Sequence, residues 1–276
     1  MNVTIDYIVS RLKGVYSLEE AREIAFWVLE EVTGLNRFTL SACKDTKNIS
    51  NIEIILERIL KKEPIQYIFG HILWCELDLK LTSATLIPRP ETAELVDWMN
   101  QLPMVKHQSP FTCLDIGTGS GCIALALKQK HPNWQVTGLD ISPEAIAVAR
   151  ENACRNHLNV DFVEQDIFLF NSQLPTSNFD VVVSNPPYVL DSDKITMEPN
   201  VLDYEPASAL FVPDDDPLRF YRRIAELHLG KWLYFEINER MGEAMQQLLI
   251  SLGYVDIEIK HDSYGKERMV RARLAH

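Results

Sequence analysis

The spacing of apolar and polar positions changes character twice along the chain. Up to about residue 60 the apolar residues follow a helical period. Leu18, Ala21, Ile24, Ala25, Leu29 and Val32 gather on one face, as an amphipathic helix requires. Ser17-Leu-Glu-Glu20 precedes them as a capping box, in which the Ser17 hydroxyl accepts an amide hydrogen and Glu20 reaches back. Gly34 is placed to end the helix. Ser50-Asn-Ile-Glu53 repeats the start signal ahead of Ile52, Ile55, Leu56, Ile59 and Leu60, with Pro64 beyond the end. Phe26 and Trp27 fall among helix positions and are expected in the core. Residues 1–63 thus predict a small helical bundle that carries no recognisable chemistry.

Between 64 and 90 the period shortens. Leu77, Leu79 and Leu81 alternate with Asp78 and Lys80, as in a half-buried strand, and Tyr67-Ile-Phe-Gly70 is expected to pair with it as a hairpin. Leu86-Ile-Pro-Arg-Pro-Glu91 closes this connector, its prolines imposing an extended backbone. Beyond residue 111, short continuous apolar runs at 112–116, 136–139, 179–184 and 232–237 predict strands buried on both faces. Helical patterns at 120–131, 143–157, 217–229 and 241–252 separate them, and a strand pair at 254–260 and 268–274 flanks Tyr264-Gly265. Residues 91–276 therefore predict an α/β domain whose mainly parallel sheet is covered by helices.

Composition narrows the class. Of 276 residues, 46% are hydrophobic and 24% charged, the balance of soluble globular chains and not of disordered ones. The sequence has no run of eighteen apolar residues, so no membrane-spanning helix is expected. The start, Met1-Asn-Val-Thr-Ile-Asp6, lacks a basic segment followed by an apolar one, and a cytoplasmic protein is expected. Asp and Glu number 39 against 27 Lys and Arg, a net charge of −12. That sign repels polyphosphate, so direct nucleic-acid binding is not expected without a local basic patch. The five cysteines are never closer than nine residues and form no Cys-x-x-Cys pair, which argues against a zinc site and for reduced thiols.

Two segments carry candidate chemistry. Asp115-Ile-Gly117-Thr118-Gly119-Ser120-Gly121 follows the first strand of the α/β region and opens a helix. Alternate glycines let backbone turn sharply and approach a ligand. One residue between the last two glycines is too few for a dinucleotide fingerprint, and the missing Lys-Ser or Lys-Thr pair excludes a P-loop. Asp140 ends the next strand, 19 residues after Gly121, where a carboxylate can accept from ribose hydroxyls. The set points to a nucleoside ligand without a diphosphate; an ordinary tight βα turn has the same glycine spacing. The second segment, Asn185-Pro186-Pro187-Tyr188, ends a buried strand. Its prolines remove two amide donors, leaving the Asn185 side-chain oxygen and the Pro186 carbonyl as an acceptor pair suited to an NH2 group. Tyr188 offers a flat face to a planar group. A rigid strand-ending turn is the alternative.

Together Gly117–Gly121, Asp140 and Asn185–Tyr188 resemble the class I S-adenosylmethionine-dependent methyltransferases that modify amino or amide nitrogens. More narrowly, nearly the whole chain is similar to the bacterial protein-glutamine methyltransferases of class I peptide-chain release factors. Pro64-Ile-Gln-Tyr-Ile-Phe-Gly70, Thr85-Leu-Ile-Pro-Arg-Pro-Glu-Thr92, Tyr204-Glu-Pro-Ala-Ser-Ala-Leu210 and Gly265-Lys-Glu-Arg268 all fit that family. Asp216-Pro217-Leu218 and Glu236-Ile-Asn238 depart from it, as does Ile167, which stands where some relatives place an aromatic residue against adenine.

The resemblance implies a seven-stranded sheet with antiparallel C-terminal strands, S-adenosylmethionine as cofactor, no metal, and a release factor as protein substrate, held by the N-terminal helices. A monomer is expected. Gly117, Thr118, Gly119, Ser120, Gly121, Asp140 and Asn185 are the expected cofactor contacts. Asp115 is expected near the methionine end or bracing the loop, Asp166 at the adenine amino group or as a turn residue, and Ile167 beside adenine. Asn185, Pro186, Pro187 and Tyr188 would hold the substrate amide, with Asn185, Pro186 and Tyr188 carrying the chemistry. Arg89 and Glu91 are expected at the rim or in a salt bridge. The competing readings are an adenine-N6 or guanine-N2 nucleic-acid methyltransferase, and a nucleoside-binding regulator that would not need Asn185–Tyr188.

Overall fold

The computed structural model describes residues 3–43, 51–101, 111–169 and 178–275. They form two compact units, Met1–Gly70 with Pro199–Tyr204, and His71–Glu198 with Glu205–His276. The first unit holds helices α1 (Val3–Leu12), α2 (Leu18–Thr33), α3 (Arg37–Ala42), α4 (Ile52–Leu60) and α5 (Ile65–Phe69). Helix α2 begins as its sequence dictates: Ser17 Oγ accepts from the Glu20 amide at 3.2 Å, and Glu20 Oε2 accepts from the Ser17 amide at 2.9 Å. Gly34 ends it with φ at 68°, a conformation open to glycine at little cost. Ala21, Ala25, Val28 and Leu29 pack with Ile8 and Leu12 of α1 and Leu56 and Ile59 of α4. Leu18, in the first turn, is exposed, and Phe26 and Trp27 are half-buried rather than central. The Arg37 guanidinium covers the Phe26 ring at 4.7 Å.

Two expectations for this unit fail. Helix α4 starts behind Asn51, whose φ is 77° and whose side chain makes no capping bond; Ser50 lies outside the described residues. Glu53 binds Tyr7 and Arg11 of α1, so its carboxylate is engaged across helices. Tyr67-Ile-Phe-Gly70 is no strand either. Pro64 starts a helical turn there and Gly70 ends it with φ at 75°, so the hairpin begins at His71. In the second unit β1 (His71–Trp74) pairs antiparallel with β2 (Leu77–Lys80), Trp74 facing Leu77. The two residues between them, Cys75 (φ 48°) and Glu76 (φ 64°), are both left-handed, as a type I′ hairpin turn demands.

A helix missed in the sequence comes next. Arg89 is extended, as the following proline requires, but Pro90 occupies the first position of α6 (Pro90–Met99), where a missing N–H costs nothing. The unit continues through β3 (Thr112–Ile116), α7 (Cys122–Lys130), β4 (Gln135–Asp140), α8 (Pro143–Arg155), β5 (Asp161–Glu164), β6 (Phe179–Ser184), β7 (Val189–Leu190), β8 (Phe211–Val212), α10 (Arg219–Glu226), β9 (Gly230–Glu236), α11 (Gly242–Ser251), β10 (Tyr254–His261) and β11 (Glu267–Leu274); α9 (Pro199–Tyr204) belongs to the first unit. Seven strands form one sheet in the order β10-β11-β9-β6-β3-β4-β5. All neighbours are parallel except β11, antiparallel to both β9 and β10.

Hydrophobic clusters cover both faces, one centred on Trp98, Leu125 and Trp134, the other on Tyr221, Phe235 and Met245. The β1–β2 hairpin is fastened to α8 by two asparagines one turn apart. Asn152 exchanges hydrogen bonds with the backbone N–H and C=O of Lys80 at 2.7 and 3.0 Å, and Asn156 does the same with Asp78 at 3.1 and 2.9 Å. Their side-chain amides pair with β2 as a neighbouring strand would. From β3 the chain steps to β4 and β5 on one side and returns to β6 on the other, the switch point where open α/β sheets bind ligands. All five cysteines are free.

Candidate active site

A cavity of about 740 Å³ opens at the carboxyl ends of β3, β4 and β6. The glycine loop forms one corner. Gly117 (φ 72°) and Gly119 (φ 55°) sit in the left-handed region, and a Cβ added to either would meet nothing within 4 Å. Bare backbone therefore faces open space, a cradle that a close-fitting ligand can use. Asp140 closes the corner: its Oδ2 accepts from the Gly119 amide at 2.8 Å and its Oδ1 from the Ser142 amide at 3.0 Å. Each oxygen keeps a lone pair for a ligand hydroxyl. Burial pushes the Asp140 pKa up, against the pull of those amides.

Beneath the loop, Asp115 is fully buried and outside the cavity lining. Its Oδ2 accepts from the Thr118 hydroxyl at 2.6 Å and the Ala124 amide at 3.2 Å, while Oδ1 has no hydrogen-bond partner. These bonds brace the loop onto α7. Burial raises the Asp115 pKa to about 7, with Thr118 and Ala124 opposing and Asp140 adding to the rise. Asn152 reaches the same loop, donating to the Ser120 carbonyl at 2.9 Å.

On the opposite wall the Asn185 amide Nδ2 donates to Thr92 Oγ1 at 3.1 Å. Thr92 in turn donates to Glu236 Oε2 at 2.6 Å, and the Tyr188 hydroxyl donates to Glu236 Oε1 at 3.1 Å. Glu236 is buried at the end of β9, and burial raises its pKa although both hydroxyls and Arg268 oppose. Burial raises the Tyr188 hydroxyl strongly as well, which keeps it a donor.

Of the residues singled out in the sequence, Gly117, Thr118, Gly119, Ser120, Asp140, Asp166, Ile167, Asn185, Pro186 and Pro187 line this cavity. Asp115, Gly121 and Tyr188 do not. Gly121 is packed, with Phe162 and Ala149 close behind it. Tyr188 packs its ring against the second core cluster and gives its hydroxyl to Glu236; it is a support behind the wall, not a flat face within it. Asp166 Oδ1 accepts from the Phe168 amide at 2.8 Å, which is turn chemistry, leaving its other oxygen for a ligand. Arg89 lines the cavity and also forms a 2.6 Å salt bridge with buried Glu205, while Glu91 is not part of the lining.

Several lining residues gave no sequence signal. Phe168, next to Ile167, meets Phe220 edge to face at 5.3 Å, and the Arg219 guanidinium lies 4.9 Å over the Phe168 ring. All three line the cavity beside Asp166. Thr92 lines it as well, on helix α6 (Pro90–Met99), which begins where the expected connector ends and had no counterpart in the sequence reading. One signal was available: Glu236 interrupts the apolar run 232–237, and a carboxylate in a strand buried on both faces needs partners.

Comparison with known proteins agrees with this geometry. Residues 107–213 match the family described as a methyltransferase domain, and residues 4–70 the family described as the PrmC N-terminal domain. A release factor glutamine methyltransferase of Bacteroides thetaiotaomicron is 42% identical, with 99% of both chains covered. Its counterpart from Flavobacterium psychrophilum is 37% identical over 95% of both. Among solved structures, the hMettl16 catalytic domain in complex with MAT2A 3'UTR hairpin 1 has a TM-score of 0.59 at 18% identity, covering 72% of this chain and 75% of that one, a likeness of fold. With 42% identity sustained along its length, the chain belongs to the release factor glutamine methyltransferase family, whose members are S-adenosylmethionine-dependent methyltransferases.

Proposed function

We propose that the protein transfers a methyl group from S-adenosylmethionine to the side-chain amide nitrogen of the glutamine in the Gly-Gly-Gln motif of class I peptide-chain release factors, modulating translation termination. The observation that carries this reading is the Asn185 amide. Its NH2 group is engaged by Thr92, which leaves Oδ1 as the end of the amide that can accept, and Asn185 and Pro186 both line the cavity. Two acceptors in that setting suit the two hydrogens of a carboxamide. S-adenosylmethionine supplies a methyl group already activated on its sulfonium. An amide nitrogen is a weak nucleophile, and no side chain at this corner is a base able to deprotonate it. Placement must supply the rate, and fixed orientation can contribute roughly 7–11 kcal/mol. As positive charge grows on nitrogen, its hydrogen bonds to Asn185 and Pro186 strengthen.

The cofactor fits the other corner. Asp140 would hold the ribose hydroxyls and the bare backbone of Gly117–Ser120 the adjoining part. Asp166, Ile167 and Phe168 would flank the adenine. The helical unit, matched to the PrmC N-terminal domain over residues 4–70, would engage the release factor. A net charge of −12 favours a protein substrate over nucleic acid. A cytoplasmic monomer is the form in which we place this activity. Incubation with labelled S-adenosylmethionine and purified release factors, followed by mass spectrometry, tests the proposal. One added methyl on the Gly-Gly-Gln glutamine is expected; label entering DNA or RNA but no release factor would overturn it.

A further inference from the structure

The orientation of Asn185 is decisive, because rotating its amide by half a turn would present two donors to a substrate that also brings two. Asn185 cannot fix this by itself. Thr92 has one hydroxyl hydrogen and can give it to one partner. At 2.6 Å from Glu236 Oε2, that bond has the length of a hydroxyl donating to a carboxylate. Tyr188 gives its own hydrogen to the other Glu236 oxygen at 3.1 Å, so the carboxylate acts as acceptor on both sides. Thr92 is then left only as an acceptor toward Asn185, and at 3.1 Å the atom that can donate to it is Nδ2. Thr92 and Glu236 are both buried, and each finds its hydrogen-bond partners within the protein.

We infer that Glu236 and Thr92 are positioning residues for methyl transfer: the buried carboxylate holds the Thr92 hydrogen, Thr92 must accept from Asn185 Nδ2, and Asn185 Oδ1 is thereby committed to the substrate amide. Tyr188 belongs to the same device from the other oxygen. The inference rests on the proposed reaction and adds the source of its directionality. It also accounts for a carboxylate at the end of an apolar strand, where burial without function would be a net cost.

The test compares Thr92→Val, Thr92→Ser and Glu236→Gln with the wild type in the release-factor assay, alongside S-adenosylmethionine affinity by calorimetry. Thr92→Val keeps the shape and removes the hydroxyl, so kcat should fall about 100-fold, as small misplacements do. KM and cofactor affinity should stay within about threefold, because the glycine corner is untouched. Thr92→Ser restores the hydroxyl and should return kcat to within about threefold of wild type. A side-chain amide at 236 can donate to Thr92, which frees the Thr92 hydrogen for Asn185 Oδ1; Glu236→Gln should lose about 10-fold or more in kcat. If Thr92→Val does not fold, Glu236→Gln decides by the same split. A kcat within threefold of wild type in the deciding variant, a serine variant as slow as valine, or a matching loss of cofactor affinity would each overturn the inference while leaving the reaction standing. A wild type that methylates no release factor would instead overturn both.

Discussion

The glycine-loop corner is tied together within residues 115–152, through Asp115 to Thr118 and Ala124, Gly119 to Asp140, and Asn152 to Ser120. The Asn185 corner joins Thr92, Asn185, Tyr188 and Glu236, with 144 positions separating Thr92 from Glu236. The first is the product of one βαβα stretch, the second of three separate segments that meet only when the sheet is complete. Under the proposed function, that difference means that cofactor binding and transfer should be separable by substitution. Asn185→Ala gives the largest expected effect. It removes one acceptor and leaves the loop intact, so kcat should fall by at least about 10³-fold, with cofactor affinity within a few fold by calorimetry. Cofactor affinity collapsing together with kcat would erase the distinction between the corners.

The same difference governs what could be read from the sequence. The glycine loop and Asp140 were legible as neighbours because local geometry joins them: alternate glycines, then a carboxylate at the next strand end that accepts from the Gly119 amide. The four inner parallel strands between 112 and 237 showed as apolar runs for a similar reason, since burial on both faces leaves no polar alternation. Thr92 and Glu236 work only through partners far along the chain, so no local pattern marks them, apart from the charge interrupting an apolar strand. Phe168 was missed by one position, because Ile167-Phe-Leu169 is a single 3-10 turn in which neighbouring side chains diverge. Tyr67–Phe69 misled as a strand because five residues are too few to show a period; Pro64 and Gly70 decided the matter as caps.

Asn152 is where the local corner touches something distant. Its side chain serves the Ser120 carbonyl and both backbone groups of Lys80, and it is wholly buried. Asn152→Ala leaves those three groups without a partner, which should destabilise the protein by about 4 kcal/mol in urea unfolding. Cofactor affinity should weaken while kcat at saturating cofactor holds. A fall in kcat at saturation would mean that the brace reaches Asn185.

Asp115 tests the loop corner through pH. Its folded pKa is raised from 3.8 to about 7, so the folded protein retains a proton that the unfolded chain releases. Asp115 therefore adds stability in full below the unfolded value, and that contribution is lost as pH rises through about 7. Asp115→Asn keeps an acceptor for Thr118 and Ala124 but does not titrate. The stability of wild type relative to this variant should drop by about 3 kcal/mol between pH 5 and pH 8. Parallel stability curves for the two proteins would show that Asp115 is ionised throughout and that the loop bears no such strain.

The smallest effect concerns the turn that Asn152 indirectly holds. Cys75 and Glu76 both adopt left-handed backbone, which costs an L-residue with a Cβ roughly 1–2 kcal/mol. The turn survives because Trp74 and Leu77 on either side are buried and paired. Asn-Gly is the pair best suited to this geometry, so the double substitution Cys75→Asn with Glu76→Gly should stabilise the protein by about 1–2 kcal/mol in thermal or urea unfolding. Neither position lines the cavity, and both kcat and cofactor affinity should stay within twofold. Were cofactor affinity to rise instead, strain in the turn would be travelling along β2 and through Asn152 into the glycine loop. The loop corner would then extend back to residue 75, and the contrast with the assembled Asn185 corner would narrow to one of degree.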